Sequence, residues 1–233
     1  MSSAAIFGST GLVGSHILST LLASESAFAT VHTVSRRAPK SEGPKLHAIV
    51  EPDTSQWVSK LTSISPAPTT VFSALGTTRA QAGGIAAQWK IDHDLNVELA
   101  RAAREAGSRA FVFVSSAGTG GLSGMAPYSK MKRGVEEAVE AAGFEHAVVL
   151  RPGLIIGDRE VPHQGGPLLN GVVRGLGRWC GQWAQDKIGQ DAEVIARAAV
   201  HAARIAEEGK APSKYWVLEQ ADIVRLGRTE WKD

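Results

Sequence analysis

The sequence predicts an α/β protein: a doubly wound, mostly parallel sheet with helices on both faces and a small substrate-covering segment. Three observations carry this. Short apolar runs alternate with segments of helical periodicity almost to the end of the chain. At least one run, Val112-Phe113-Val114, is continuous rather than alternating, as in a strand buried on both faces. A glycine-rich stretch, Gly8-Ser9-Thr10-Gly11-Leu12-Val13-Gly14, stands between the first run and the first helical segment.

Strands are expected near 3–8, 30–35, 46–50, 69–74, 110–115, 146–151 and 214–218. Helices are expected near 11–23, 85–106, 127–142 and 191–208. The stretch TSISPAPTT (62–70) reads as a loop. Residues 158–190 break the rhythm. They hold six glycines from Gly165 to Gly181, together with Trp179 and Trp183. Leu168, Leu169, Val172, Val173, Leu176 and Trp179 fall near helical spacing, so one reading is a helix packed on the core. The other is a mobile cover over a substrate pocket, which in open α/β sheets lies beyond the carboxyl ends of the strands. The two are compatible. The expected organisation is therefore one domain, 1–233, with 158–190 as a substrate-side insertion or lid. His163, Leu168, Leu169, Trp179 and Trp183 are its candidate substrate contacts, and they suit an apolar or aromatic ligand.

Composition narrows the function classes. Of 233 residues, 43% are apolar and 21% charged, which is ordinary for a soluble globular protein. A formal charge of +2 is too small to argue for nucleic acid. Cys180 is the sole cysteine, so no intrachain disulfide can form and a reducing, cytoplasmic compartment is the default. The first strand begins by about residue 4, leaving no room for a presequence. No apolar run approaches the roughly 20 residues that span a bilayer. The histidines show no metal-ligand spacing, so no metal is expected.

The glycine stretch has GxxGxxG spacing. Gly8 would permit the sharp turn out of the strand, Gly11 a close approach to a pyrophosphate, and Gly14 tight packing of helix on sheet. The helix start then offers its unpaired N–H groups to the anion. The same spacing also suits a purely structural turn; its place after the first strand favours a dinucleotide. The second strand ends TVSRR. An acidic residue there would hold the ribose 2′-OH of NAD, but Ser35, Arg36 and Arg37 stand instead. Two guanidiniums can pair with a 2′-phosphate, which favours NADP(H) over NAD(H).

A catalytic set follows in FVFVSSAGTGGLSGMAPYSKMKRGVEEAVEAAG (111–143). A buried strand ends in Ser115-Ser116, and Pro127 fits the first turn of the next helix. Tyr128 and Lys132 are four residues apart, so one helix face can present both. Reducing a carbonyl by hydride transfer leaves charge on its oxygen, which a tyrosine hydroxyl can protonate. Free tyrosine has a pKa of about 10. A nearby ammonium favours the phenolate and lowers that value. A serine hydroxyl can steady the carbonyl oxygen.

With these residues in view, the chain resembles the atypical branch of the short-chain dehydrogenase/reductase superfamily. Beyond GxxGxxG and YxxxK, the match rests on SALGTTRAQAGG (73–84), IDHDLNVELARAAREAG (91–107) and RPGLIIGDRE (151–160). It is similar to the fungal mitochondrial-proteome group of NAD(P)-binding proteins and to the animal Tat-interacting, oxidoreductase-like protein. The resemblance implies a Rossmann fold of about seven strands with bound NADPH. It implies cofactor contacts at Ser9, Thr10, Gly11, Leu12 and Val13, at Arg36 and Arg37, and at Leu75, Gly76 and Thr77. Pro152, Gly153 and Ile155 would lie against the nicotinamide end. Tyr128 matches the proton donor, Lys132 its partner, and Ser116 the serine, with Ser115 the alternative. Two positions depart from the pattern: Asp92 stands where many relatives in the wider superfamily carry asparagine, with Asn96 one turn on, and His163 stands where a second arginine is expected.

Two functions stay open. One is an NADPH-dependent reductase of a small carbonyl or related unsaturated compound. The other is an NADPH-binding sensor or protein-interaction module with little turnover, which the resemblance to the animal protein raises. The resemblance also raises peripheral attachment to the mitochondrial outer surface, to which the amphipathic 168–183 stretch with Arg174 and Arg178 could contribute. Helices 85–106 and 127–142 are candidates for pairing two subunits.

Overall fold

The computed structural model describes residues 2–23, 28–118, 126–157 and 189–232. The chain opens with β1 (Ser2–Phe7), whose last four residues, Ala4 to Phe7, are wholly buried. The glycine turn leads into α1 (Leu12–Ala23), and then come β2 (Phe28–Ser35) and β3 (Leu46–Val50). A 3-10 turn at Thr54–Gln56, with Asp53 accepting from the Ser55 amide, starts α2 (Trp57–Thr62). β4 (Thr70–Ser73) is followed by two short helices, α3 (Arg79–Ala82) and α4 (Ile85–Trp89). A π turn at Lys90–Asp94 joins α4 to α5 (Leu95–Glu105). β5 (Ala110–Val114), α6 (Pro127–Ala141) and β6 (His146–Leu150) complete the central part. Beyond them lie β7 (Leu154–Ile156), β8 (Gly189–Asp191), α7 (Ala192–Glu207), β9 (Tyr215–Leu218), α8 (Gln220–Val224) and a second π turn, Arg225–Thr229.

Seven strands form one sheet in the order β3-β2-β1-β4-β5-β6-β9. Every neighbouring pair in it is parallel. These are the seven runs that the hydrophobic pattern marks, each displaced by two residues or fewer. Alternate side chains of the central strands serve two cores, as the two-residue period of a strand requires. Ile6, Phe72, Val112 and Val148 face α1 and α7, with Ile17, Leu18, Ile195 and Ala199. Phe7, Val71, Phe111 and Val149 face α2, α5 and α6, with Leu61, Leu99 and Val139. Fully burying a side chain such as Phe7 or Phe111 contributes about 1.5–3 kcal/mol, so both layers are held firmly to the sheet. The alanine-rich inner face of α7 lets that helix sit close.

Three features depart from the expected pattern. The helix expected over 85–106 is divided by the π turn, which leaves its amphipathic period nearly intact and so hides from a pattern search. The helices α2, α3 and α8 are four to six residues long, too short for a periodic signal. β7 and β8 form a separate two-stranded parallel pair, Leu154 beside Gly189 and Ile156 beside Asp191. Residues 189 and 190, the end of the predicted covering segment, are thus strand. Residues 158–188 lie outside the described residues, and with them His163, Leu168, Leu169, Trp179 and Trp183.

Candidate active site

The strand order reverses between β1 and β4, and the carboxyl ends of these strands open the crevice where such sheets take ligands. Gly8 turns there with φ +84°, in the left-handed region. A Cβ on it would come 2.7 Å from the Ala74 carbonyl oxygen beyond β4, so the two loops touch. Gly14 matters for a different reason: its Cβ would fall 2.1 Å from the Gly8 carbonyl oxygen, within the turn itself. The Gly11 amide donates to that oxygen at 2.9 Å and closes the turn. The first turn of α1 contains no acidic side chain, and its opening amides are those a helix leaves without internal partners. Ser9 is 1% exposed, and its hydroxyl has no hydrogen-bond partner among the described residues. Thr10 is half-buried, Val13 is buried, and the Leu12 side chain reaches Gly157 at the exit of β7.

Arg36 and Arg37 are exposed just past the end of β2. The buried Ser35 hydroxyl donates to the Arg37 carbonyl at 2.8 Å and pins that turn. On the other side of β1, Leu75 is buried, Gly76 exposed and Thr77 half-buried. Beyond β6, buried Pro152 accepts from the Ala117 amide at 2.7 Å, tying this loop to the one after β5. The Gly153 amide donates to buried Gln190 at 2.8 Å, and Ile155 packs on the α1 side of the core. The cofactor candidates from Gly8 to Gly14, Arg36 and Arg37, and Leu75 to Thr77 follow the carboxyl ends of β1, β2 and β4; Pro152 and Gly153 follow β6, Ile155 lies in β7, and Lys132, also a cofactor candidate, on α6.

The three catalytic candidates come from the loop just after β5 and from α6. Tyr128 is 40% exposed on the first turn of α6, while Lys132, one turn on, is 3% exposed. The Lys132 ammonium donates to the Leu75 and Val114 carbonyls, both at 3.2 Å, and lies 4.8 Å from the centre of the Phe113 ring. Burial pushes Lys132 down from the usual lysine range, and the charges of Asp92 and Glu136 oppose this. The two serines separate clearly. Ser115 is buried and donates to Glu136 at 2.5 Å. Ser116 is half-buried and donates to the neighbouring Ala117 carbonyl at 3.2 Å. Among the described residues no charged group holds the Ser116 hydroxyl, whereas Ser115 is part of an ionic network.

That network escapes the sequence reading. Glu136 is buried on α6 and pairs with Arg151 at 2.6 and 3.2 Å, and Arg151 also reaches Glu219 at 3.0 Å. Glu136 holds the Arg151 guanidinium well above its ordinary pKa. A signal was present: Tyr128, Lys132 and Glu136 recur at four-residue spacing on one helix face. The second omission is the use made of Asp92 and Asn96. Asp92 is fully buried and accepts from the Thr77 amide at 3.0 and 3.2 Å. Burial pushes its carboxyl up, while Lys132, the Thr77 amide and Gln88 pull it back. Asn96 gives its amide to the Ile91 and Asp92 carbonyls of the π turn and accepts from Ser73 at 2.5 Å. Asn96 is therefore occupied in holding the π turn and does not replace Asp92 beside the loop. Two open grooves, of about 500 Å³ and about 310 Å³, border Trp231 on the α1 and α7 side.

A parallel sheet of this order, with a glycine turn at its point of reversal, defines the doubly wound, Rossmann-like class of nucleotide-binding folds. Within that class, the profile of the NAD dependent epimerase/dehydratase family matches residues 4–178, and the chain belongs to that family. It is 67% identical to the mitochondrial protein FMP52 of Chaetomium globosum, over 100% of both chains. It is 61% identical to the mitochondrial protein fmp-52 of Neurospora crassa, over 99% of this chain and 97% of that one. Solved structures share the fold at low identity. The UDP-Glc/GlcNAc 4-epimerase of Campylobacter jejuni superposes with a TM-score of 0.68 at 15% identity, over 97% of this chain and 82% of that chain. A short chain dehydrogenase from Burkholderia cenocepacia, in complex with NADP, gives 0.62 at 16%, over 93% and 87%. The relatives are named mitochondrial, which differs from the cytoplasmic compartment expected from a lone cysteine. No helix among the described residues is long and apolar enough to cross a membrane.

Proposed function

We propose that the protein is an NADPH-dependent oxidoreductase that reduces a small, apolar or aromatic carbonyl compound or a related unsaturated one. The observation that carries this reading is the buried Lys132 ammonium. It lies against the loop after β4, one helical turn from Tyr128, on the same sheet edge as the glycine turn.

The residues fit a dinucleotide. The buried Ser9 hydroxyl lacks a partner in the turn where a pyrophosphate would sit. The α1 N-terminus carries no competing carboxylate. Arg36 and Arg37 are exposed where a 2′-phosphate would lie, which supports NADPH over NADH. When bound, the cofactor supplies the hydride. Tyr128 then donates its hydroxyl proton to the carbonyl oxygen as charge develops there. Lys132 stabilises the resulting phenolate and has a third N–H available for the ribose beside Leu75–Thr77. Ser116 donates to the same carbonyl oxygen and holds it towards Tyr128. The relatives' names support a mitochondrial location.

The test is NADPH oxidation over a panel of small carbonyl and enone substrates, with Tyr128→Phe as control. Turnover in the wild type that falls at least a hundredfold in the variant, with NADPH still bound, is expected. Equal turnover in both overturns the role of Tyr128. NADPH binding with no turnover on any substrate class overturns the reductase reading in favour of a nucleotide-binding module.

A further inference from the structure

An ammonium as enclosed as that of Lys132 requires a counter-charge nearby to stay protonated. The titratable groups around it come from three places: Asp92 on the π turn, Tyr128 and Glu136 on α6 itself, and Arg151 at the end of β6, which reaches this region through Glu136. His93, next to Asp92, packs against Gly134 of α6 and is bonded to Asp94 at 2.8 Å. Glu136 is committed elsewhere: it takes two donors from Arg151 and the Ser115 hydroxyl. Asp92 is met instead by neutral donors, the Thr77 amide and the Gln88 side chain. Gly76 separates Asp92 from Lys132. A Cβ built there would lie 3.1 Å from Asp92 Oδ1 and 3.9 Å from Lys132 Nζ. The two charged atoms are therefore at most about 7 Å apart, a separation at which opposite charges inside a protein still interact strongly.

We infer that Asp92 is the counter-charge that keeps Lys132 an ammonium, and that it grips the Leu75–Thr77 loop lying between the two. Lys132 takes hold of this loop by the Leu75 carbonyl and Asp92 by the Thr77 amide, so one pair of opposite charges clamps three residues from both sides. Each charge opposes the effect of burial on the other. Asp92 is thus a positioning residue that acts through Lys132. Its consequence for catalysis rests on the reductase reading, since only a charged Lys132 can favour the Tyr128 phenolate; the charge assignment itself does not.

The experiment is an NMR titration of the full chain labelled at lysine Cε, with the Lys132 signal assigned by its loss in Lys132→Arg. In the wild type the Lys132 midpoint is expected below that of a free lysine, with the charge of Asp92 opposing the effect of burial. In Asp92→Asn its midpoint falls by about one to three units, Asp92→Glu restores most of the shift, and Glu136→Gln moves it less. An unchanged midpoint in Asp92→Asn, or a larger shift in Glu136→Gln, overturns the inference. If Asp92→Asn does not fold, Glu136→Gln decides: a fall in the Lys132 midpoint of about one unit or more overturns the inference, and a smaller one upholds it. NADPH oxidation on the same samples separates the two readings. A shifted midpoint in a protein without turnover upholds the counter-charge and overturns the reductase; turnover with an unshifted midpoint does the reverse.

Discussion

Replacing Gly8 or Gly11 with alanine adds one methyl group to the same turn, yet the two changes should behave oppositely. At Gly8 the backbone has φ +84°, which a side chain makes unfavourable by about 1–2 kcal/mol. The new Cβ would also lie 2.7 Å from the Ala74 carbonyl oxygen and 2.8 Å from its carbon, both backbone atoms that can yield only by separating β1 from the loop after β4. Forced overpacking of this kind costs about 1–3 kcal/mol. Gly8→Ala should therefore lose roughly 2–5 kcal/mol, a large part of the 5–15 kcal/mol typical of a domain. Gly11 has no positive φ, and its Cβ would meet the Gly8 carbonyl oxygen at 3.2 Å, a contact relieved by a few tenths of an ångström. Gly11→Ala should thus stay within about 0.5–1 kcal/mol of the wild type, while its methyl group stands on the exposed side where a pyrophosphate would approach. Urea unfolding measures the first effect, and NADPH fluorescence titration the second. Gly11→Ala should keep its unfolding midpoint and weaken NADPH at least tenfold. Wild-type affinity in that variant would refute the placement of the pyrophosphate, and equal destabilisation by both variants would refute the steric account.

Other consequences can be measured separately. Arg36→Ala and Arg37→Ala should each raise the Kd for NADPH several-fold and leave that for NADH nearly unchanged; parallel losses for both cofactors would remove the 2′-phosphate role. Arg151→Met leaves Glu136 buried without its cation, and should lower stability by about 3 kcal/mol in urea unfolding; a loss below about 0.5 kcal/mol would show that Glu136 is paired elsewhere. His32 stacks on His47 across the β2–β3 pair at 5.1 Å, and burial first, then His47, holds its pKa below 6.5. The unfolded chain therefore binds more protons in this range, so the stability from a neutral His32 is complete above pH 6.5 and is lost as pH falls through the folded value. His32→Gln should flatten the fall in melting temperature as the pH drops below about 6.5; equal slopes in both proteins would refute the assignment.

How much of this the sequence discloses depends on where the physical signal lies. The sheet strands are legible because burial on both faces leaves unbroken apolar runs, as in Phe111 to Val114, flanked by polar residues. The glycine turn is legible because Gly8 and Gly14 occupy positions where a Cβ meets backbone, so the residue type itself records the geometry. The pair β7 and β8 is not legible. Three residues each, with 32 residues between them, carry no period, and their pairing is a long-range fact. The choice between Ser115 and Ser116 is equally hidden. Two adjacent serines look alike in a sequence, and only the buried carboxylate of Glu136, reaching in from α6, distinguishes the bound hydroxyl from the other.

The π turn shows why Asp92 and Asn96 could not be assigned from spacing. Four residues apart, they would share one face of a regular α-helix and compete for one role. A π turn holds more residues per turn, so it rotates the residues after it relative to those before. Here Asn96 turns inward to Ser73 and back to the π-turn carbonyls, while Asp92 faces the loop at Gly76 and Thr77. The two polar side chains thus do separate work. The amide of Asn96 satisfies carbonyls that the irregular turn would otherwise leave buried and unpaired, and so makes the turn affordable. The turn in turn delivers a carboxylate to the only fully buried lysine in the described core. Asn96→Ala should therefore act on Lys132 without touching it. Losing the amide frees the Ile91 and Asp92 carbonyls, the π turn relaxes towards α-helix, and Asp92 rotates away from Thr77. The expected result is a Lys132 midpoint lowered as in Asp92→Asn, together with faster hydrogen exchange at the Thr77 amide. A Lys132 midpoint that stays at the wild-type value while Thr77 exchanges faster would show that the loop and the ammonium are held independently, and would break the link between the π turn and the charge.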